Sequence, residues 1–229
     1  LKPDDEIRTG PFSEATLSAT GSTTMVVSAE SSFHIGELIA NRSSFELSTG
    51  QVRAAIPDAN SREYEFRALD RQAVARSTAG EFDLISNGKD SLLVDTHRGT
   101  VDVESRGRKV KVSKGKRSIV KRGAPPSPPM PIPSSLALQV KWPPPKIRRK
   151  STRLQGTTQP GALVSVNGVT TRADASGKFV VVVPLRMGTN RLVVTTTDPT
   201  GKTTRQQVKI VEVDTRPPKI KVEYEDSWQ

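Results

Sequence analysis

Short runs of alternating apolar and polar residues cover the first 122 positions of the sequence. The alternation is clearest in residues 51–56, 100–103 and 109–112, and a period of two is typical of a half-buried β-strand. The last four glycines associated with this pattern stand eight residues apart, at positions 99, 107, 115 and 123. This spacing predicts strand–turn–strand units, arranged as a meander or as the stacked coils of a β-solenoid. No segment has the period of an amphipathic helix.

A proline-rich segment then interrupts the strand pattern. Residues 124–133 read APPSPPMPIP, and proline cannot donate to a strand ladder and favours the extended polyproline II conformation. At about 3.1 Å per residue, ten such residues would span roughly 30 Å. We therefore predict that residues 123–135 form a semi-rigid spacer between two β domains.

The strand pattern resumes in residues 136–213. Residues 163–166 run into Asn167-Gly168, a strong hairpin signal because a type I′ turn requires positive φ at both positions. Residues 179–183 are apolar throughout, as in a central strand that is buried on both faces. About seven short strands in this segment predict a small β-sandwich. Residues 214–229 are predicted to be a joint and the first strand of a further domain.

The composition fits an all-β chain with two small cores. Of the 229 residues, 34% are apolar and 4% aromatic, so we expect thin cores of valine, leucine, isoleucine and alanine. The absence of cysteine excludes disulfides and thiolate metal sites. No apolar run approaches the ~18 residues that a membrane span needs. The sequence begins at Leu1 in mid-pattern, as if trimmed at the front, so the lack of a signal peptide in it carries no information.

The positive charge of the chain is concentrated in its middle. The sequence has 35 Lys and Arg against 24 Asp and Glu, a net charge of +11. Residues 105–153 contain 15 of these basic residues and no acidic one, whereas residues 1–104 carry a net charge of −7 and residues 154–229 one of +3. Such an asymmetry indicates either a polyanionic or acidic partner or a solvated basic linker.

Two basic clusters in this stretch are the candidate binding residues. On a strand, Lys109 and Lys111 would present their charges on one face. Such a face can bind the phosphates of teichoic acid or lipopolysaccharide, an acidic protein surface, or the acidic first half of another copy of the chain. Nucleic acid is a poor candidate, because Trp142 is the one aromatic residue near the clusters and single-strand binders interleave aromatic rings for stacking. The candidate residues are Arg106, Arg108, Lys109, Lys111, Lys114, Lys116, Arg117, Lys121, Arg122, Lys146, Arg148, Arg149, Lys150 and Arg153.

Several motifs in the first 122 residues are those of a known bacterial domain. They read DEIRTG at 5–10, FELSTGQVR at 45–53, GEFD at 80–83 and RGTVDV at 98–103. On these motifs, residues 1–122 resemble the FecR family domain, which is named after the ferric-citrate regulator. The resemblance implies an extracytoplasmic β domain. In the regulator, the periplasmic part relays a signal to a sigma factor, whereas many other proteins with this domain are exported envelope proteins.

A second set of motifs lies in residues 136–213. They read QPGA at 159–162, VSVNG at 164–168, ASGKF at 175–179 and TDPTG at 197–201. On these motifs, the segment resembles bacterial Ig-like modules, which occur in tandem on envelope and secreted proteins. An Ig-like module would stand where a regulator carries its receptor-contacting region. We therefore expect this chain to be one of the exported envelope proteins.

Residues suited to catalysis or metal binding are few. His34 and His97 are the only histidines, and no strand-to-helix elbow accompanies them to hold a nucleophile. We expect both to be surface or turn histidines. Two histidines and no cysteine are too few for a zinc site. Four aspartates stand among alternating strands, where we expect outward-facing carboxylates: Asp83, Asp90, Asp95 and Asp102.

These observations favour a binding protein over an enzyme. We expect no catalytic activity, no cofactor and no metal. The leading hypothesis is a scaffold or interaction protein of the periplasm or outer envelope of a bacterium, an accessory part of a motor, secretion system or appendage, with other envelope proteins as partners. One alternative is the periplasmic sensor part of a FecR-type transmembrane regulator. A second is a protein that binds peptidoglycan or another anionic envelope polymer. Function lies in sites that a fold alone does not reveal.

Overall fold

The computed structural model describes residues 1–11, 13–19, 22–58, 62–133, 136–198 and 204–216. These ranges form twenty strands and no α-helix, so the predicted all-β class is confirmed. Within them, no helix has the length and apolarity needed to cross a bilayer. The strand predicted for residues 219–225 lies outside the described residues.

The first twelve strands form a unit that we call the first sandwich. Its strands are β1 (Glu6–Arg8), β2 (Ala15–Ala19), β3 (Thr23–Val27), β4 (Ser32–Ile39), β5 (Arg42–Ile56), β6 (Glu63–Ala68), β7 (Ala73–Ser77), β8 (Gly80–Ser86), β9 (Ser91–Ser105), β10 (Arg108–Ser113), β11 (Lys116–Lys121) and β12 (Met130–Pro131).

The first sandwich has two layers that share two long strands. One layer has the order β1-β4-β5-β6-β7-β9-β10, and the other has the order β2-β3-β5-β8-β9-β11-β12. Strands β5 and β6 are parallel. The pairs β5–β6, β6–β7, β7–β9, β9–β8 and β8–β5 close into a small mixed barrel. The chain is therefore neither the simple meander nor the stack of coils that the glycine spacing predicted.

Glycines inside β5 and β9 explain why the pattern predicted more strands than the chain forms. Residues 45–47 and 51–56 belong to one strand, and Gly50 lies between them, where β5 passes from one layer to the other. Its φ is +98°, and a Cβ at this position would clash with Ser31. Gly99 lies inside β9 in the same way. A glycine can thus mark a bend within a strand as well as a turn between strands.

An apolar core fills the space between the two layers. Phe33 and Phe45 stack with ring centroids 5.4 Å apart, and Phe66 continues the stack at 5.4 Å. Phe82 of the other layer meets Phe66 edge to face at 5.5 Å. All four rings are buried. Four of the six phenylalanines of the chain thus hold the layers together, since aromatic pairs in these geometries add to the stability that burial provides.

The proline-rich segment lies on the edge of the second layer. Met130 and Pro131 form β12, which pairs with β11. The Ser127 amide donates to the Ile119 carbonyl (2.9 Å), and the Ile119 amide donates to Ser127 Oγ (3.0 Å). The described part of the predicted spacer, up to residue 133, therefore runs along β11. Proline has no amide hydrogen to donate to a neighbouring strand. Ser127, which stands between the prolines, supplies both the amide that donates and the Oγ that accepts.

The remaining strands form a unit that we call the second sandwich. A three-stranded sheet of order β13-β15-β18 faces a five-stranded sheet of order β14-β20-β19-β16-β17, with one apolar core formed by both sheets. The strands are β13 (Leu138–Lys141), β14 (Lys146–Ile147), β15 (Ser151–Thr158), β16 (Leu163–Val166), β17 (Val169–Arg172), β18 (Lys178–Pro184), β19 (Gly188–Thr197) and β20 (Thr204–Val213).

Two predictions for this unit had different outcomes. The hairpin turn is confirmed, because Asn167 and Gly168 join β16 to β17 with φ values of 48° and 88°. The apolar segment 179–183 is not a central strand that is buried on both faces. It belongs to β18, at the edge of the three-stranded sheet, where Val180 and Val182 are 43% and 60% exposed. An apolar run alone does not distinguish a central strand from an edge strand.

Candidate functional site

Thirteen of the fourteen candidate basic residues are exposed, and we call them the basic surface. The first cluster follows β10, β11 and the turns beside them, and the second follows β14, the bend after it and β15. On β10, Lys109 and Lys111 are exposed while Val112 is buried, as the predicted alternation requires. The exposed thirteen are Arg106, Arg108, Lys109, Lys111, Lys114, Lys116, Lys121, Arg122, Lys146, Arg148, Arg149, Lys150 and Arg153.

Few carboxylates neutralise the basic surface. Lys109 Nζ lies 2.7 Å from Asp102 Oδ2 on the adjacent strand, and Arg122 pairs with Asp70. No other exposed member of the first cluster forms an ion pair with a residue of the described ranges. Strands β10 and β11, which both pair with β9, and the turns beside them therefore carry cations whose charges are screened mainly by solvent.

Arg117 is the exception among the candidate residues, because it is buried. Its guanidinium binds Asp95 through two hydrogen bonds of 2.6 Å, and both side chains are 1% exposed. It also donates to the Pro160 carbonyl of the second sandwich at 3.3 Å. The prediction that Arg117 binds an external anion does not agree with its buried position. Arg117 points to the face of β11 opposite the first core, and the second sandwich covers that face.

Four charged residues occupy one row across the second layer, and we call them the charge ladder: Arg53, Asp83, Asp95 and Arg117. Arg53 is in register with Asp83, Asp83 with Asp95, and Asp95 with Arg117. Side chains that are directly opposite in adjacent strands lie on the same face of a sheet. Each aspartate has its own arginine, since Arg53 donates to both carboxylate oxygens of Asp83 at 2.9 and 3.0 Å.

His97 joins the charge ladder at Asp83. The imidazole Nε2 lies 2.7 Å from Asp83 Oδ2. This hydrogen bond raises the pKa of His97, against the opposing effect of burial. Burial by itself would raise the pKa of Asp83, but the hydrogen bonds from His97 and Arg53 outweigh it and hold that pKa below its ordinary value. Protonated His97 and ionised Asp83 therefore stabilise each other.

Two of the four aspartates, and His97, differ from their predicted positions, whereas Asp90 is exposed as predicted. Asp83 and Asp95 were expected to be outward-facing and are 0% and 1% exposed, and His97 is half-buried. Both aspartates do point away from the first core, as the alternation predicts. The second sandwich covers them, and no pattern in their own strands indicates a covering unit.

The two sandwiches pack directly against each other. Ile85 and Leu93 are in register on the same outer face as the charge ladder, and each is 1% exposed although neither belongs to the first core. Gly161 of the second sandwich lies on them with a φ of +78°, and a Cβ there would come within 3.2 Å of Ile85 Cγ2 and 3.3 Å of Leu93 Cδ2. A glycine thus permits this close approach.

A cleft of about 390 Å³ opens beside this contact, and we call it the inter-sandwich cleft. Arg53, Gln51 and Ser28 line it from the first sandwich, and Arg172 and Thr197 from the second. Two carboxylates, those of Glu14 and Asp198, also face the cleft. The sequence reasoning missed this set, because its members come from distant strands and none belongs to a local motif.

The comparisons with known proteins gave a limited similarity. No protein-family model matches the sequence, and no curated protein matches it. Two crystal structures of a "putative anti-sigma factor" from Parabacteroides distasonis have a TM-score of 0.46 to this chain at 15% sequence identity. The similarity covers 53% of this chain and 56% and 57% of those chains. It thus extends over little more than half of either protein.

Proposed function

We propose that this chain is a non-catalytic scaffold of the bacterial cell envelope that binds an acidic partner through its basic surface. It would act as an accessory component of a larger periplasmic or outer-membrane-associated assembly. The setting is proposed on the sequence motifs that resemble exported FecR-domain and Ig-like proteins. The mode of binding is proposed on the charges and on the packing of the two sandwiches.

The observation that carries the proposal is the row of weakly neutralised cations on β10, β11 and their turns. Arg108, Lys111, Lys114 and Lys116 are exposed and have no ion-pair partner in the described ranges. Like charges held close together repel one another, and an acidic surface relieves that repulsion while it steers the partner to the site. A solvated linker would not need such a fixed arrangement, whereas here Arg108, Lys111 and Lys116 stand on paired strands and Lys114 in the turn between two of them.

The packing of the two sandwiches supports a scaffold role. The buried Arg117–Asp95 pair and the Pro160 carbonyl join them, as do Ile85 and Leu93 against Gly161. A partner bound on the first sandwich is thus held in a fixed relation to the second. A rigid framework of this kind reduces the entropy that is lost when an assembly forms.

The test is to purify the native complex of the tagged full-length protein from its own cells after gentle solubilisation and chemical cross-linking. We expect a large assembly with fixed partners, with cross-links from the lysines at positions 109, 111, 114 and 116. A free monomer would overturn the proposal. Recovery with a sigma factor alone would support the sensor function instead, and salt-sensitive co-sedimentation with cell-wall sacculi would support polymer binding.

A further inference from the structure

One wall of the inter-sandwich cleft is formed by a half-buried cation, Arg172, that forms no ion pair with a residue of the described ranges. Arg172, at the end of β17, reaches the first sandwich and donates from Nη2 to the Ala29 carbonyl at 3.2 Å. Its contacts from Nη1 to Gln51 Oε1 and to the Gly161 carbonyl are both 3.5 Å long, at the limit of hydrogen bonding. The Nε atom is buried and has no hydrogen-bond partner within the described ranges.

Such an arrangement is unfavourable for the protein alone. Carbonyl dipoles only partly replace the water that a guanidinium loses on burial. Burial lowers the pKa of Arg172 to about 10, and Glu30 is the carboxylate that opposes this shift. A buried N–H without an acceptor adds to the cost. The arginine on the other wall differs, because Arg53 has a bidentate partner in Asp83.

The cleft has the size and the polar groups of a binding site. Its volume of about 390 Å³ lies within the range of small-molecule pockets, roughly 300–1,000 Å³. The hydroxyl-bearing residues Ser28 and Thr197 line it together with Arg172. Of the two carboxylates that face it, Asp198 acts electrostatically on Arg53, and Glu14 is exposed. Arg172 therefore remains the cation with unused hydrogen-bonding capacity.

We propose that the inter-sandwich cleft binds an oxyanion, a carboxylate or a phosphate group, against the guanidinium of Arg172. Charge-assisted hydrogen bonds to an oxyanion are about twice as strong as neutral ones, and the ligand would replace the long contacts of Nη1. The cleft is larger than a free anion, so it has room for a larger molecule that carries the oxyanion at one end. This site is separate from the basic surface and does not depend on the proposed scaffold role.

The test is an NMR titration of the protein with its arginines labelled with ¹⁵N. Sodium phosphate and sodium acetate are added in separate titrations at constant ionic strength. We expect a saturable shift of the Arg172 Nε–H resonance, and the anion that binds more tightly identifies the ligand class. Arg172→Gln should weaken binding at least about tenfold, a change of about 1.4 kcal/mol. Arg186→Gln, at an exposed arginine of the same sandwich, should leave it unchanged. Absence of a saturable shift with both anions would overturn the proposal.

A second variant keeps the test decisive if Arg172→Gln fails to fold. Glu14 precedes β2, is exposed and forms no ion pair with a described residue, so Glu14→Gln should fold normally. Removal of this carboxylate should tighten anion binding several-fold, because one repulsive charge at the cleft is lost. An affinity that is unchanged or weaker in Glu14→Gln would contradict an oxyanion bound at Arg172.

Discussion

Asp83 illustrates how single residues of this protein combine burial with charge. Its carboxylate is 0% exposed and receives hydrogen bonds from Arg53 and His97. Asp95 is equally buried and depends on Arg117. A buried charge of this kind is stable only while its partners remain, since the water that solvated it has been removed. The charge ladder should therefore be sensitive to the loss of any one member.

The pair of His97 and Asp83 makes stability depend on pH. The folded-state pKa of His97 is raised above the ordinary value of 6.5, so its contribution is fully present below that value and is lost as the pH rises through the raised pKa. His97→Gln should therefore reduce the free energy of unfolding more at about pH 5.5 than at about pH 9. Urea denaturation at both pH values measures this difference. The pH dependence should disappear in an Asp83→Asn background, and its persistence there would assign it to another group.

Removal of one partner of the Arg117–Asp95 pair should destabilise the protein more than replacement of both residues by apolar ones. Arg117→Met leaves Asp95 buried without its partner, so we expect the free energy of unfolding to fall by about 3–5 kcal/mol. The double variant Arg117→Met with Asp95→Leu should lose less than the single one, because no buried charge remains. Lys116→Met, at the exposed neighbour, should stay within about 0.5 kcal/mol of the parent. Chemical denaturation provides all three values, and a single variant as stable as the parent would contradict the account.

At the scale of elements, the sequence predicted the strands better than their pairing. Residues 109–112 lie within β10 and residues 163–166 coincide with β16, since alternation and the Asn167-Gly168 turn are local signals. No local signal indicates the parallel pair β5–β6 or the closure of the barrel by β8. They join residues far apart in the chain, and several pairings satisfy the same alternation. The proline-rich segment was predicted as a semi-rigid spacer, and its composition does not reveal Ser127 as a partner of β11.

Ser127 should anchor the proline-rich segment to β11. Its Oγ accepts from the Ile119 amide at 3.0 Å, and its carbonyl accepts from Ser118 Oγ at 2.9 Å. Ser127→Ala should lower the free energy of unfolding by about 1 kcal/mol, because the Ile119 amide loses its acceptor. Hydrogen exchange of that amide should be slow in the parent protein and faster in the variant. An Ile119 amide that exchanges in the parent as fast as in an unfolded chain would show that the segment is undocked.

At the scale of the whole molecule, two sandwiches share a buried contact and expose a basic surface. The charge asymmetry along the sequence correctly located the exposed cations of the surface, because charge is a property that composition reports directly. The inter-sandwich cleft could not be located in this way. Arg53 and Arg172 are 119 positions apart in the chain, and they come together only when the second sandwich covers the outer face of the first.

The central claim, that the basic surface holds the partner, has a direct test by charge reversal. We would compare two triple variants. The first carries Lys111→Glu, Lys114→Glu and Lys116→Glu. The control carries Lys178→Glu, Arg186→Glu and Arg191→Glu. All six side chains are exposed, so each triple variant makes the same change of net charge and should fold. The measurement is the amount of partner recovered with the tagged protein from native envelopes. The account predicts at least an about tenfold loss for the first variant, equivalent to about 1.4 kcal/mol, and normal recovery for the control. Equal recovery from both variants would contradict it.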